Sequence, residues 1–187
     1  MSVSDLSIYF ATSNEHKFKE AKEILSSKIS IAHFYFKHNE IRSDSLADIA
    51  IESVNIAYAK LKKPVFVEDT GLFISALNGF PATFSAWVIN KIGSKGILKL
   101  MHGEQNRVAS FKTCIAFSDG KDVKTFFGDC SGAIANKQCG KSGFGFDSIF
   151  IPADYKKTFA EDIETKNKLS HRYQAISKLA DFLIRKY

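Results

Sequence analysis

The sequence predicts an α/β protein built on a mixed β-sheet flanked by helices. Three observations carry that expectation. Two strand–helix units follow one another near the N-terminus, the apolar run Val65-Phe66-Val67 ends on the carboxylate pair Glu68-Asp69, and an alternating ribbon occupies residues 108–127. At 187 residues the chain suits one domain, or one domain of two lobes, and is long enough to bury a substantial core.

Ser7 to Ala11 reads as a short buried strand, and Phe18, Ala21, Ile24 and Leu25 keep helical spacing after the polar turn Thr12-Ser13-Asn14. Thr12 with Glu15 predicts a capping box. The first helical turn would then aim N–H groups at the strand end, a natural seat for phosphate oxygens beside Lys17. Ile29 to Phe36 is a second strand-like run. Ser43-Asp44-Ser45 supplies N-cap chemistry for a helix carried by Leu46, Ile49, Ala50, Ala57 and Leu61, which stops at Lys62-Lys63-Pro64.

The chain then returns as the Val65 strand, which is expected to stop at Glu68-Asp69, with Thr70-Gly71 turning the backbone close to a ligand. Two adjacent carboxylates at the mouth of an apolar strand are costly to desolvate unless a cation shares the site, and a hydrated divalent metal fits. Glu40, leaving the second strand, is placed to approach them. Asn78-Gly79-Phe80-Pro81 marks a turn, Phe84, Trp87 and Val88 one face of a core-building helix, and Ile97, Leu98 and Met101 a face of another. Ala109, Phe111, Thr113, Ile115 and Phe117 alternate, Asp119-Gly120 turns, and Val123 to Phe127 returns antiparallel.

Residues 135–142 approach a Walker A loop, with Ala135 where the first Gly belongs, and Gly143 and Gly145 hint at a dinucleotide fingerprint. Neither run opens a helix, so both are set aside. Two glycines interleaved with Phe144 and Phe146, with Asp147 as an acceptor, suit a flat heterocycle instead. The last helix, with Ile176, Leu179, Ala180 and Leu183 on its apolar face, begins near Ser170-His171-Arg172. Cations there oppose the helix dipole and call for a bound anion or base.

No run of about 18 uninterrupted apolar residues and no basic-then-apolar leader pattern occurs, so a cytoplasmic protein with no membrane partner is expected. Three cysteines without C-x-x-C spacing argue against a disulfide framework and a structural zinc site. A net charge of +6 favours a polyanionic partner. Because the basic residues are scattered, a nucleotide is a better match than a stable nucleic-acid partner.

Six segments in register resemble the Ham1 family of inosine triphosphate pyrophosphatases, archaeal members most of all. They are Ala11 to Lys17, Glu68 to Leu72, Ala76 to Pro81, Gly143 to Asp147, Thr158 to Glu161 and Ser170 to Arg172. The resemblance implies a single domain over residues 1–187, with two lobes of a mixed-sheet α/β fold around a central cleft, usually as a homodimer. It implies Mg²⁺-dependent hydrolysis of ITP, dITP and XTP to the monophosphate and pyrophosphate, clearing deaminated purines from the nucleotide pool.

Carried over by motif, Thr12, Ser13, Asn14, Glu15, His16 and Lys17 would hold the triphosphate. Glu40 and Asp69 would hold the metal, Asp69 would activate water, Glu68 would assist, and Thr70 would touch substrate. Phe144 and Phe146, with Gly145 between them, would sandwich the base, and Asp147, Lys166, His171 and Arg172 would complete recognition. The chain departs from the family at Ala82 and Trp87, where many members carry Gly and Arg, and at Ser53, where bacterial and eukaryotic members often carry Lys; either Lys60, Lys62 or Lys63 substitutes for that Lys or its role is absent here. Competing readings are a Maf-type nucleotide pyrophosphatase of other base preference and a basic nucleic-acid-binding protein.

Overall fold

The computed structural model describes residues 8–25 and 29–187, so Ser7 of the expected first strand lies outside the described residues. The strands are β1 (Ile8–Thr12), β2 (Ile31–Tyr35), β3 (Val65–Ile74), β4 (Pro81–Ala82), β5 (Val108–Ser118), β6 (Val123–Ile134) and β7 (Phe150–Pro152). The helices are α1 (Glu15–Leu25), α2 (Leu46–Leu61), α3 (Ser85–Lys91), α4 (Gly93–Leu100), α5 (Ile163–Leu169) and α6 (His171–Lys186). The strands form one mixed seven-stranded sheet in the order β2-β1-β3-β5-β6-β7, with β4 also paired to β3. β1 is parallel to β2 and β3, whereas β4 runs antiparallel to β3 and β7 antiparallel to β6. Among the described residues no helix is long and apolar enough to cross a membrane.

The chain divides into two units. The first comprises Met1–Asp69, Thr113–Gly128 and Arg172–Tyr187. Its core joins Ile8, Phe10 and Phe66 from the strands to Ala21 and Leu25 of α1 and to Ala175, Ile176, Leu179 and Leu183 of α6. Phe10 and Phe66 stack at 4.4 Å across the parallel β1–β3 pair. The apolar stripe expected on the last helix is thus the face that closes this core. α2 starts where its polar prefix predicts: Ser45 caps it by accepting from Asp48 N at 3.2 Å. It ends on Lys62 in the left-handed region (φ 55°), whose N–H reaches Tyr58 O.

α1 differs from the expected capping box. The helix begins at Glu15, so its cap is Asn14, whose Oδ1 accepts from the N–H groups of His16 (3.0 Å) and Lys17 (3.2 Å). Thr12 still belongs to β1 and is two residues too early to cap; its Oγ1 accepts from Asn14 N and fixes the turn instead.

The second unit comprises Thr70–Lys112 and Asp129–His171. Its core gathers Leu72, Ile74, Val88, Ile97, Met101, Phe111, Phe146, Phe150 and Phe159. Asn78 and Gly79 both take positive φ, as the turn signal requires. Two expectations fail here. β3 does not stop at the acid pair but continues to Ile74, because Leu72 and Ile74 resume the buried apolar pattern. Gly71 therefore makes no ligand turn: a Cβ there would lie 2.5 Å from Ala82 O, so the glycine permits the close approach of β4. Nor is the α3 face wholly core. Val88 is buried, whereas Phe84 and Trp87 are 42% and 61% exposed, because a seven-residue helix sinks only one stripe.

All three cysteines are free. Burial pushes the Cys114 thiol up to about 12, with the Asp69 charge adding to it, and burial with Asp129 pushes Cys130 up to about 11. Both stay protonated and inert at neutral pH.

Asp119, at the β5–β6 turn, pairs with Lys186 of α6. Burial alone would push its carboxyl up. The Lys186 hydrogen bond and the N–H groups of Lys121 and Asp122 outweigh that and bring it down from 3.8 to about 2. A depressed carboxyl contributes stability that is complete above its unfolded pKa and lost as pH falls through the folded one. Asp119→Asn is expected to cost about 1 kcal/mol at pH 7 after solvent screening. It should also flatten the loss of stability between about pH 4 and pH 2. Urea denaturation across that range checks it, and parallel curves for both proteins would contradict it.

Candidate functional site

In the first unit, α1 presents Lys17 and Glu20, three residues apart and on one helix face, to β3 and the start of α6. Arg172 donates from Nε to Glu68 Oε2 and from Nη2 to Glu68 Oε1, both at 2.8 Å, and from Nη1 to Glu20 Oε2 at 2.7 Å. Lys17 Nζ donates to the Glu68 carbonyl at 3.1 Å and lies 3.3 Å from Glu68 Oε1. The Glu68 carboxylate has no solvent exposure and the Arg172 side chain 2%. A carboxylate this deep is tolerable only when paired, and here a planar fork meets it on both oxygens. Burial works against the Arg172 charge, but Glu68 and then Glu20 outweigh it and lift the guanidinium above its ordinary value. It stays charged at every accessible pH.

The cations at the start of α6 thus find the anion they call for within the protein, in Glu68 and Glu20. Glu20 escaped sequence reasoning. Its one signal was its place one helical turn after Lys17 on α1, where a half-buried Glu needs a cationic partner.

Neighbouring strand residues point to opposite faces of a sheet, so Asp69 is turned away from this cluster. Its charge is felt by the Cys114 thiol on β5. Glu40 is exposed in the connection between β2 and α2 and is not a member of the cluster. That connection is anchored two residues earlier, where His38 Nε2 meets Ser53 Oγ at 2.9 Å and the His38 ring stacks on Phe36 at 4.4 Å. Ser53 is buried and engaged by His38. Ser13, Glu15 and His16 are exposed around the turn into α1, and Thr12 and Asn14 are half-buried.

In the second unit, Asp147 Oδ2 accepts from Phe144 N at 2.8 Å and from Lys166 Nζ at 2.7 Å. Asp147 and Lys166 are both buried, and the ammonium also sits 4.6 Å from the centre of the Phe144 ring. Gly143, at φ 72°, is obligatory, since a side chain there would strike the Asp147 carboxylate. Ser94 Oγ donates to Gly145 O at 3.3 Å. His171 is buried and stacks on Phe111 at 4.6 Å. Thr70 is half-buried on β3.

Phe146 requires correction. It is 3% exposed and packs into the apolar core with Leu72, Ile97 and Phe150, so neither ring face is offered to a base. Phe144, half-buried, is the aromatic that the loop presents. The 135–142 run opens no helix, which accounts for its failure as a phosphate loop.

A family model described as the Ham1 family matches residues 8–182, which takes in all six segments singled out above. The chain belongs to the Ham1 family. It is 47% identical over 174 residues to the dITP/XTP pyrophosphatase of Saccharolobus solfataricus, covering 92% of this chain and 91% of that protein. It is 44% identical to the dITP/XTP pyrophosphatase of Methanopyrus kandleri, covering 95% and 96%. Among solved structures, the HAM1 protein of Coxiella burnetii superposes with a TM-score of 0.85 at 30% identity, over 96% of this chain and 99% of that one. The Staphylococcus aureus Ham1 protein does so with a TM-score of 0.81 at 29% identity, covering 96% and 100%.

The two aromatics of this Ham1 loop should therefore separate cleanly. Phe146→Ala opens a core cavity and is expected to lower stability by about 3–5 kcal/mol. Phe144→Ala is expected to leave the melting temperature within a few degrees and to weaken nucleotide binding alike for all purines. Thermal melts alongside nucleotide titrations check both, and a Phe146→Ala protein melting like wild type would refute the core assignment.

Proposed function

We propose that this Ham1-family chain hydrolyses purine nucleoside triphosphates with deaminated bases, dITP and XTP together with ITP, at the α-phosphorus, releasing the monophosphate and pyrophosphate. It is a hydrolase of nucleoside triphosphate anhydride bonds, and it acts on the cytoplasmic nucleotide pool as a homodimer. The observation that carries the reading is the division of labour between the adjacent acids of β3. Glu68 is held by Arg172 and Lys17, whereas Asp69, next to it on β3, points to the opposite face of the sheet and is the carboxylate assigned to catalysis.

The donor chemistry fits a divalent cation of the magnesium type. Such an ion takes one or two carboxylates together with substrate phosphates and waters, and does not need a dedicated protein cage. Asp69 and Glu40 supply hard oxygen donors. Among the described residues no three His, Cys, Asp or Glu side chains gather as a cage, so the phosphates would complete the ligand set. The bound cation supplies charge neutralisation at the phosphates. Asp69 orients the attacking water and takes its proton, and Lys17 meets the triphosphate with a full positive charge at the start of α1. With His16 and Lys17 N–H groups already accepted by Asn14, phosphate binding falls more on the Lys17 ammonium than on the backbone.

For the base, Phe144 offers a stacking face, and Asp147, Lys166 and His171 the polar groups. Hypoxanthine and xanthine carry a 6-keto acceptor, which a donor such as the Lys166 ammonium satisfies. Adenine places a donor there, and two opposed donors in a buried site can cost several orders of magnitude in discrimination. Arg172 is assigned to the row it forms with Glu68 and Glu20 in the first unit.

With XTP or ITP the expected products are the monophosphate and pyrophosphate; orthophosphate alone would overturn the reading. Turnover of XTP and ITP should exceed that of ATP, UTP and dTTP, and equal rates would remove the base-recognition argument. Asp69→Asn should lower kcat by about 10²-fold or more with an unchanged melt. Lys17→Ala should act mainly by raising KM. Near-normal kcat in the first variant, or unchanged KM and kcat in the second, would unseat those roles.

A further inference from the structure

We infer that Glu20 is a positioning residue that sets how tightly the phosphate-binding lysine holds polyphosphate, acting through Arg172 and Glu68. The inference rests on the proposed triphosphate role of Lys17.

The four side chains form an alternating row, Glu20, Arg172, Glu68, Lys17, with contacts of 2.7, 2.8 and 3.3 Å and a formal charge that sums to zero. An incoming phosphate competes with Glu68 for Lys17. How strongly Glu68 holds Lys17 depends on how completely Arg172 neutralises Glu68. Glu20, 13% exposed, draws the third edge of the guanidinium toward itself and so withholds part of its charge from Glu68. Glu20 also lies one helical turn from Lys17 on α1, adding a negative charge near the phosphate seat. Both effects have the same sign: the Glu20 charge weakens polyphosphate binding. In an enzyme that releases pyrophosphate, a neutral row keeps product from occupying Lys17.

Glu20→Gln keeps the shape of the side chain and a carbonyl oxygen to accept from Arg172 Nη1, and removes only the charge. Titration of the full chain with inorganic tripolyphosphate in metal-free buffer is expected to show binding tightened roughly threefold to tenfold, the gain shrinking as salt is raised. Inhibition by added pyrophosphate should strengthen in parallel, with KM falling more than kcat. Glu20→Asp keeps the charge with a shorter reach and should bind tripolyphosphate within about twofold of wild type. In a Lys17→Met background, Glu20→Gln should change nothing. Unchanged or weaker binding in Glu20→Gln, equal shifts in the Gln and Asp variants, or a gain that survives Lys17→Met would each overturn the inference. Should Glu20→Gln fail to fold, a Glu20→Asp protein whose affinity moves more than about twofold overturns it too. Wild-type product analysis is independent of these titrations. Absence of pyrophosphate among the products would strike the proposed function, whereas a failed charge effect in an enzyme that does make pyrophosphate would strike only Glu20.

Discussion

The bidentate pair between Arg172 and Glu68 is the constraint on which the first unit turns. A carboxylate without solvent exposure in a β-strand would be costly to bury alone, and a buried guanidinium equally so. Each makes the other tolerable, and two parallel hydrogen bonds fix where β3 lies against Arg172, in the first turn of α6, within this unit. Replacing such a pair with apolar side chains is often neutral or better for stability, so its presence points to a use beyond folding. That use is to let an interior strand carry acid. With Glu68 satisfied, the strand runs on through Asp69 without paying twice for desolvation.

The second unit solves a similar problem with a shorter device. Asp147 gathers a backbone N–H and the Lys166 ammonium on one oxygen, and the Gly143 turn closes around it because no side chain intrudes. The Phe144 ring rests beside that ammonium, while Phe146 is spent on the core. Two aromatics two residues apart in a glycine-rich loop look interchangeable in one dimension. The 3-10 turn that follows, Asp147–Ile149, drives one inward and leaves the other at the surface of the loop.

Cationic and anionic partners of this kind also explain why motif segments remain readable over most of the chain. Lys17, Glu68 and Arg172 sit in three separate segments, and each is explained only by the others. Removing Arg172 or Glu68 leaves a buried charge uncompensated, a penalty far larger than the ±0.5 kcal/mol typical of surface substitutions. Glu40 and His16 are exposed, and their assignment leans on the resemblance to the Ham1 family and on function.

By itself the sequence determined the strand–helix alternation, the Ser45 and Lys62 ends of α2, the Asn78-Gly79 turn, the apolar stripe of α6, and the segments that mark the family. All of these are local: period, cap and turn chemistry act within a few residues, and the side chains involved are adjacent in the chain. Tertiary structure alone decided that β3 continues past Glu68-Asp69, that Gly71 yields space to Ala82, that Phe146 is core, and that Arg172 answers Glu68 and Glu20. Gly71 meets a partner 11 positions away, and Arg172 one 152 positions away. Burial and charge compensation are properties of neighbours in space, and a one-dimensional pattern records the need for a partner without saying which residue will meet it.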